Sequence, residues 1–189
     1  MLYIIIGIIG FGIAFAYDWL SLRRIQVVSQ VAGLAAAALI IFATIMVCRA
    51  PSKLNVPFFA TIIGGCLLIV SLSLFIYSLL IEIPFHRTYV KQVAGRKLVS
   101  TGTYALVRHP GVIWLALVFI AISLIYPSGT LFLAVIIWWF LDLIYATAQD
   151  TYFFPRMFIG YEEYKKQTPF LIPTKQSFYA CLKTLKFPI

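Results

Sequence analysis

The sequence predicts an all-α fold: a polytopic membrane helical bundle of about five transmembrane helices with a C-terminal amphipathic tail. Three observations predict it. Of 189 residues, 62% are hydrophobic and 11% charged, with a mean hydropathy of +0.99, far more apolar than a soluble domain of this length. The apolar residues gather into five runs almost free of charge, of the order needed to cross a bilayer at 1.5 Å rise per residue. The basic residues fall between these runs and in the tail.

Taken in order, the first span covers residues 2–19, with Tyr17, Asp18 and Trp19 marking an interfacial end. It lacks a basic leading segment and a small-residue cleavage site, so it reads as a retained span. After Arg23 and Arg24, the second span covers 25–47 and stops at Arg49, Pro51 and Lys53, where charge coincides with a helix terminator. The third covers 56–83, long enough to cross with tilt. The longest polar connection, 84–110, holds His86, Arg87, Lys91, Arg96, Lys97, Arg108 and His109. A fourth span, 112–126, joins a fifth, 131–146, through Pro127, Ser128 and Gly129, a link short enough to require an antiparallel hairpin. The tail, 147–189, ends in Lys175, Lys183 and Lys186 among Phe178, Tyr179, Leu182, Leu185 and Phe187, the pattern of a helix lying on a membrane surface. With no internal repeat or linker, residues 1–189 read as a single integral membrane domain.

Charge sets the orientation. Five spans place thirteen of the fifteen Lys and Arg residues on one side and leave Arg49 and Lys53 on the other, so the N-terminus is expected outside and the C-terminus in the cytoplasm. The net charge of +9 is accounted for by anionic headgroups beside these connections, and no nucleic-acid partner is expected. Cys48, Cys66 and Cys181 are widely spaced and form no Cys-x-x-Cys or Cys/His cluster, so neither a metal site nor a disulfide framework is expected.

The stretch with the densest polar chemistry is Lys97 to Trp114. Arg108 and His109 stand side by side before Pro110 and Gly111, and an apolar run follows. Proline is favoured in a helix's first turn, so the pair should sit at the mouth of the fourth span. In one reading this is a basic anchor followed by a helix start. The spacing supports another. Gly102, Tyr104, Val107, Arg108, His109 and Pro110, as G-x-Y-x-x-V-R-H-P before a span, resemble the signature of the isoprenylcysteine carboxyl methyltransferase and phospholipid methyltransferase family. The resemblance resumes after the next hairpin, where Gln149 and Asp150 align with the family's Glu-Glu pair and Tyr161, Tyr164, Thr168 and Pro169 with its tail. It covers about Lys97 to Pro173; the first three spans match only as apolar helices. The chain departs from the pattern at Val112, Trp114, Met157 and Phe158, and above all at Gln149, which removes a carboxylate, and Asp150, which shortens one.

This resemblance implies methyl transfer from S-adenosylmethionine to a lipophilic acceptor: an isoprenylcysteine-like carboxylate, a phospholipid amine or a similar lipid-soluble group. It implies Arg108, His109 and Asp150 as the catalytic set. The donor site would comprise Gly102, Tyr104, Val107, Arg108, His109, Pro110, Gln149, Asp150, Tyr161 and Tyr164. Arg108 or His109 can hold the donor's carboxylate. Asp150 can meet its amino group or ribose, or instead be solvated or cap a helix. Tyr104 and Tyr161 can stack on adenine or face the sulfonium, or serve only as interfacial belt residues. The cytoplasmic ends of the fourth and fifth spans should lie level, so that Arg108, His109 and Asp150 line one cavity under the tail. The alternative is a non-catalytic relative that binds a lipid or a partner, which Gln149 favours. Asp142, within the fifth span, is a functional candidate by depth or a structural partner for Arg108 or a nearby Lys that holds the hairpin in place. Trp138 and Trp139 read as packing residues, and Cys181 as a packing residue open to acylation.

Overall fold

The computed structural model describes residues 1–49, 54–83 and 98–185, all its regular elements being helical. Helix α1 (Leu2–Leu22) turns into α2 (Gln26–Cys48) through Arg24, which takes a left-handed φ of 61° while its N–H and that of Ile25 bond back to Ser21 and Leu20. The two pack as an antiparallel hairpin. Helix α3 (Phe58–Ile76) continues into a π-helical turn, Tyr77–Glu82, and packs along α5 (Pro110–Ile125) after the short α4 (Thr103–Leu106). Helix α6 (Gly129–Ala148) joins the two hairpins. The basic residues expected at 53 and 87–97 lie outside the described residues, as do His86 and Lys186.

The clamp between α6 and the first hairpin is Trp138. Its side chain is fully buried, packs on Phe119 with ring centroids 5.8 Å apart, and donates its indole N–H to the Ile4 carbonyl at 3.2 Å. Gly7 makes this possible: a Cβ there would collide with the indole. The lipid-side surfaces carry Val27, Leu34, Phe58, Ile69 and Ile144, all exposed and apolar. In a bilayer this is the expected arrangement, since helices bond their backbone polar groups internally and leave apolar side chains to meet the lipid.

Ile4 beside Trp138 and Asp18 beside Gln149 show α1 and α6 running parallel, as an odd number of crossings requires. At one end of the bundle the Leu54 N–H donates to the Pro127 carbonyl at 2.7 Å, tying the α2–α3 connection to the α5–α6 turn. The other end collects Arg23, Arg24, Arg108 and the tail. Among the described residues, four helices are long and apolar enough to cross a membrane. The remaining apolar helix, α5, has only 16 residues, because Pro110 opens it and Tyr126-Pro127 closes it.

Two boundaries differ from expectation. Ser128 caps α6 by accepting the Leu131 N–H at 3.1 Å, so the fifth span starts at Gly129. At its far end the helix does not stop at 146. It runs through a π-helical turn, Gln149–Phe153, into α7 (Phe154–Met157). Pro155 has no N–H for the usual i→i−4 bond, and the widened turn before it keeps the chain helical. Asp150 therefore lies inside a continuous helix and caps none, contrary to the capping alternative. The tail continues as α8 (Tyr161–Gln167) and α9 (Lys175–Thr184). Cys181 is buried on α9, which removes it as an exposed acylation site.

Candidate active site

The motif is held from below by the end of α3. Gly102 has φ 60° and ψ −130°, a conformation open to glycine, and a Cβ there would overlap the Glu82 carboxylate. Glu82 accepts the Thr103 N–H at 2.9 Å and the Thr103 hydroxyl, while the Gly102 N–H donates to the Thr184 hydroxyl oxygen of α9 at 2.9 Å. Ser78 bonds Thr103 and receives the Trp114 indole N–H, both at 2.9 Å. From this base the chain passes through extended Val107 and enters α5 at Pro110. The tail clamps the passage from above: Arg108 N–H donates to the Pro169 carbonyl at 2.9 Å and His109 N–H to that of Phe170 at 3.4 Å.

The Arg108 side chain binds Asp150 through two bonds, Nε to Oδ1 at 2.7 Å and Nη2 to Oδ2 at 3.1 Å. Its Nη1 donates to the carbonyls of Thr168 and Lys165 at 2.7 and 3.0 Å. Tyr161 donates its hydroxyl to Asp150 Oδ1 at 2.7 Å, and Lys165 Nζ stands 3.8 Å from Oδ2. Tyr164 donates to the Tyr104 carbonyl at 2.5 Å. Burial pushes both tyrosine hydroxyls above their ordinary range, and for Tyr161 the bond to Asp150 adds to it, so both remain donors at neutral pH. The arrangement ties α5, the α6 extension and α8 together.

His109 is different. Its ring is buried, stacked on Phe154 at 5.5 Å and edge-on to Phe170 at 5.2 Å. Its Nε2 is 3.5 Å from Asp150 Oδ1, without the geometry of a hydrogen bond, and has no other partner among the described residues. Burial lowers its pKa more than Asp150 raises it, so the ring is neutral and retains an accepting nitrogen.

These groups border a cavity of about 340 Å³. Tyr104, Arg108, His109, Pro110, Gln149, Tyr161 and Tyr164 line it at the level of the helix ends. Phe11, Ile40, Phe75, Leu115 and Asp142 line it within the spans. Asp150 is not itself on the wall, and it meets the wall through Arg108 and Tyr161. Gly102 and Val107 do not reach it: one is packed on Glu82 and the other fully buried. Asp142 lies on the wall, and Arg108 is taken by Asp150 instead. Trp139 is partly exposed and meets Phe140 edge-on.

Sequence reasoning missed Glu82, Phe154, Phe170 and Asp18. The last read as an interfacial marker, yet it is buried and accepts a hydrogen bond from Gln149 at 2.8 Å. Its position one turn before the end of an otherwise apolar span was the available signal.

A family model described as phospholipid methyltransferase matches residues 60–158. The match runs from α3 to just past α7 and includes the Arg-His motif, Gln149 and Asp150, but stops before Tyr161. Comparison with curated proteins and with solved structures finds no match. With just over half its length matched, the chain belongs to the phospholipid methyltransferase family.

Proposed function

We propose that this protein transfers a methyl group from S-adenosylmethionine to a lipophilic acceptor at the cytoplasmic face of its membrane. The observation that carries this reading is that one cavity joins the Arg108-His109 motif, the Gln149-Asp150 turn and the tail tyrosines to an apolar interior between spans. Its volume is in the range of small-molecule sites, and the buried Nε2 of His109, unpartnered among the described residues, offers a polar contact that a ligand can satisfy. The residues fit the donor. Its sulfonium would supply an activated methyl group for in-line displacement.

The chain's own contribution is placement and exclusion of water. The Arg108–Asp150 pair acts as a floor. It keeps Arg108 from moving, and of the five guanidinium N–H groups it leaves one on Nη2 without a partner among the described residues. His109 then stands as the residue that contacts ligand directly, its neutral ring able to donate at one nitrogen and accept at the other. Tyr104 and Tyr161 offer aromatic surface to a planar base or a cation. The apolar wall from α1, α3 and α5 suits an alkyl or isoprenyl chain. The concentration of basic residues at the motif end of the bundle supports the cytoplasmic assignment.

A second reading, a non-catalytic lipid- or partner-binding relative, is favoured by Gln149, where the family resemblance places a glutamate. Calorimetry on the purified protein in detergent separates the two. The enzyme reading expects saturable binding of S-adenosylmethionine and S-adenosylhomocysteine, lost in His109→Ala. Absence of binding by the unaltered protein at millimolar ligand refutes it.

A further inference from the structure

Two consecutive residues of the π-helical turn face opposite walls. Asp150 binds Arg108 at the start of α5, whereas Gln149 turns to α1 and donates its Nε2 N–H to Asp18. Asp18 is only 3% exposed. Gln149, Tyr145 and the neighbouring Tyr17 all line the cavity. An amide presents a donating and an accepting side on one plane, while a carboxylate can only accept. Asp18 therefore dictates which way Gln149 faces: the nitrogen is held against α1, and the carbonyl oxygen is turned away from it. Among the described residues that oxygen has no hydrogen-bond partner. A negative charge behind the amide polarises it and strengthens the oxygen as an acceptor. Helix α1 lies outside residues 60–158, so the family match does not reach Asp18.

We infer that Asp18 is a positioning residue of the donor site: it holds Gln149 as a polarised acceptor for an N–H or O–H group of the methyl donor. The carboxylate that residue 149 lacks is thereby supplied from α1, across the cavity wall. The inference rests on the methyl-donor reading above.

The test uses the full-length protein in detergent, with S-adenosylhomocysteine as the calorimetric probe and the unliganded melting temperature as a control. Asp18→Asn keeps an oxygen for Gln149 but removes the charge. The expected result is affinity weakened by about tenfold, the scale of one charge-assisted contact, with little change in melting temperature. The double variant Asp18→Asn/Gln149→Glu moves the carboxylate across the same hydrogen bond and should return affinity to within about threefold of the starting value on the same scale. If Asp18→Asn is not recovered folded, the double variant decides alone: near-original affinity supports the inference, and a tenfold loss overturns it. Unchanged affinity in Asp18→Asn overturns the Asp18 inference and leaves the methyl-donor reading standing. So does a parallel fall in affinity and melting temperature of which the double variant restores only the latter. No binding by the unaltered protein overturns the methyl-donor reading and this inference with it.

Discussion

Changing Asp150 to Asn should orphan Arg108. The guanidinium and carboxylate side chains are only 11% and 8% exposed, so neither charge can recover its hydration in place. Breaking a buried pair from one side costs about 3–5 kcal/mol. Asparagine keeps one accepting oxygen, and Arg108 keeps its bonds to the Lys165 and Thr168 carbonyls, which puts the loss near the lower end, at about 3 kcal/mol. Arg108→Met should cost a similar amount, because Asp150 is left with the Tyr161 hydroxyl and a lysine ammonium 3.8 Å away. The double variant leaves neither charge unpaired. Its cost should therefore fall short of the sum of the two by at least about 2 kcal/mol. Reversible unfolding in mixed micelles, followed by far-UV circular dichroism, measures all three. Additivity within about 0.5 kcal/mol would refute the claim that these charges exist to satisfy each other.

Three further outcomes follow from the geometry. Gly102→Ala should destabilise by about 2 kcal/mol or more, since its backbone is left-handed and its Cβ meets Glu82; adding Glu82→Ala should relieve part of that loss, and an additive double variant would contradict the overlap. His109 has a folded-state pKa below its ordinary value, so its contribution is present above about pH 6.5 and is lost as pH falls from there toward the folded pKa; the melting temperature should drop between pH 7.5 and 5.5 more steeply in the unaltered protein than in His109→Phe, and equal slopes would exclude His109 as the source. In a cysteine-free background, impermeant thiol reagents should label Thr101→Cys and Gly129→Cys from opposite faces of the membrane, and same-face labelling would overturn the crossing of α5.

Much of the architecture was legible because it is local. Apolar runs of membrane-crossing length, Pro110 at a helix start and the Pro127-Ser128-Gly129 turn act through nearest neighbours along the chain, and the helices lie where those signals put them, within a few residues. The Arg108-His109-Pro110 pattern marked the polar end of the cavity for the same reason. The α6 extension was misjudged because a break was read at the polar residues after Ala146, where a π-helical turn instead absorbs Pro155 and carries the helix on to Met157.

What the sequence by itself determined is thus a helical membrane chain, its apolar spans, the clustering of its charge between them and the location of one polar motif. Only the tertiary structure decided which polar groups satisfy one another. Arg108 is held by Asp150 and two tail carbonyls, His109 is left with a nitrogen unpartnered among the described residues, and Asp18 reaches Gln149 from 131 residues away. The physical reason is that a buried polar group must find its partner in space. In a bundle that partner is chosen by which helix faces pack together, and side chains a few residues apart on one helix can face different neighbours.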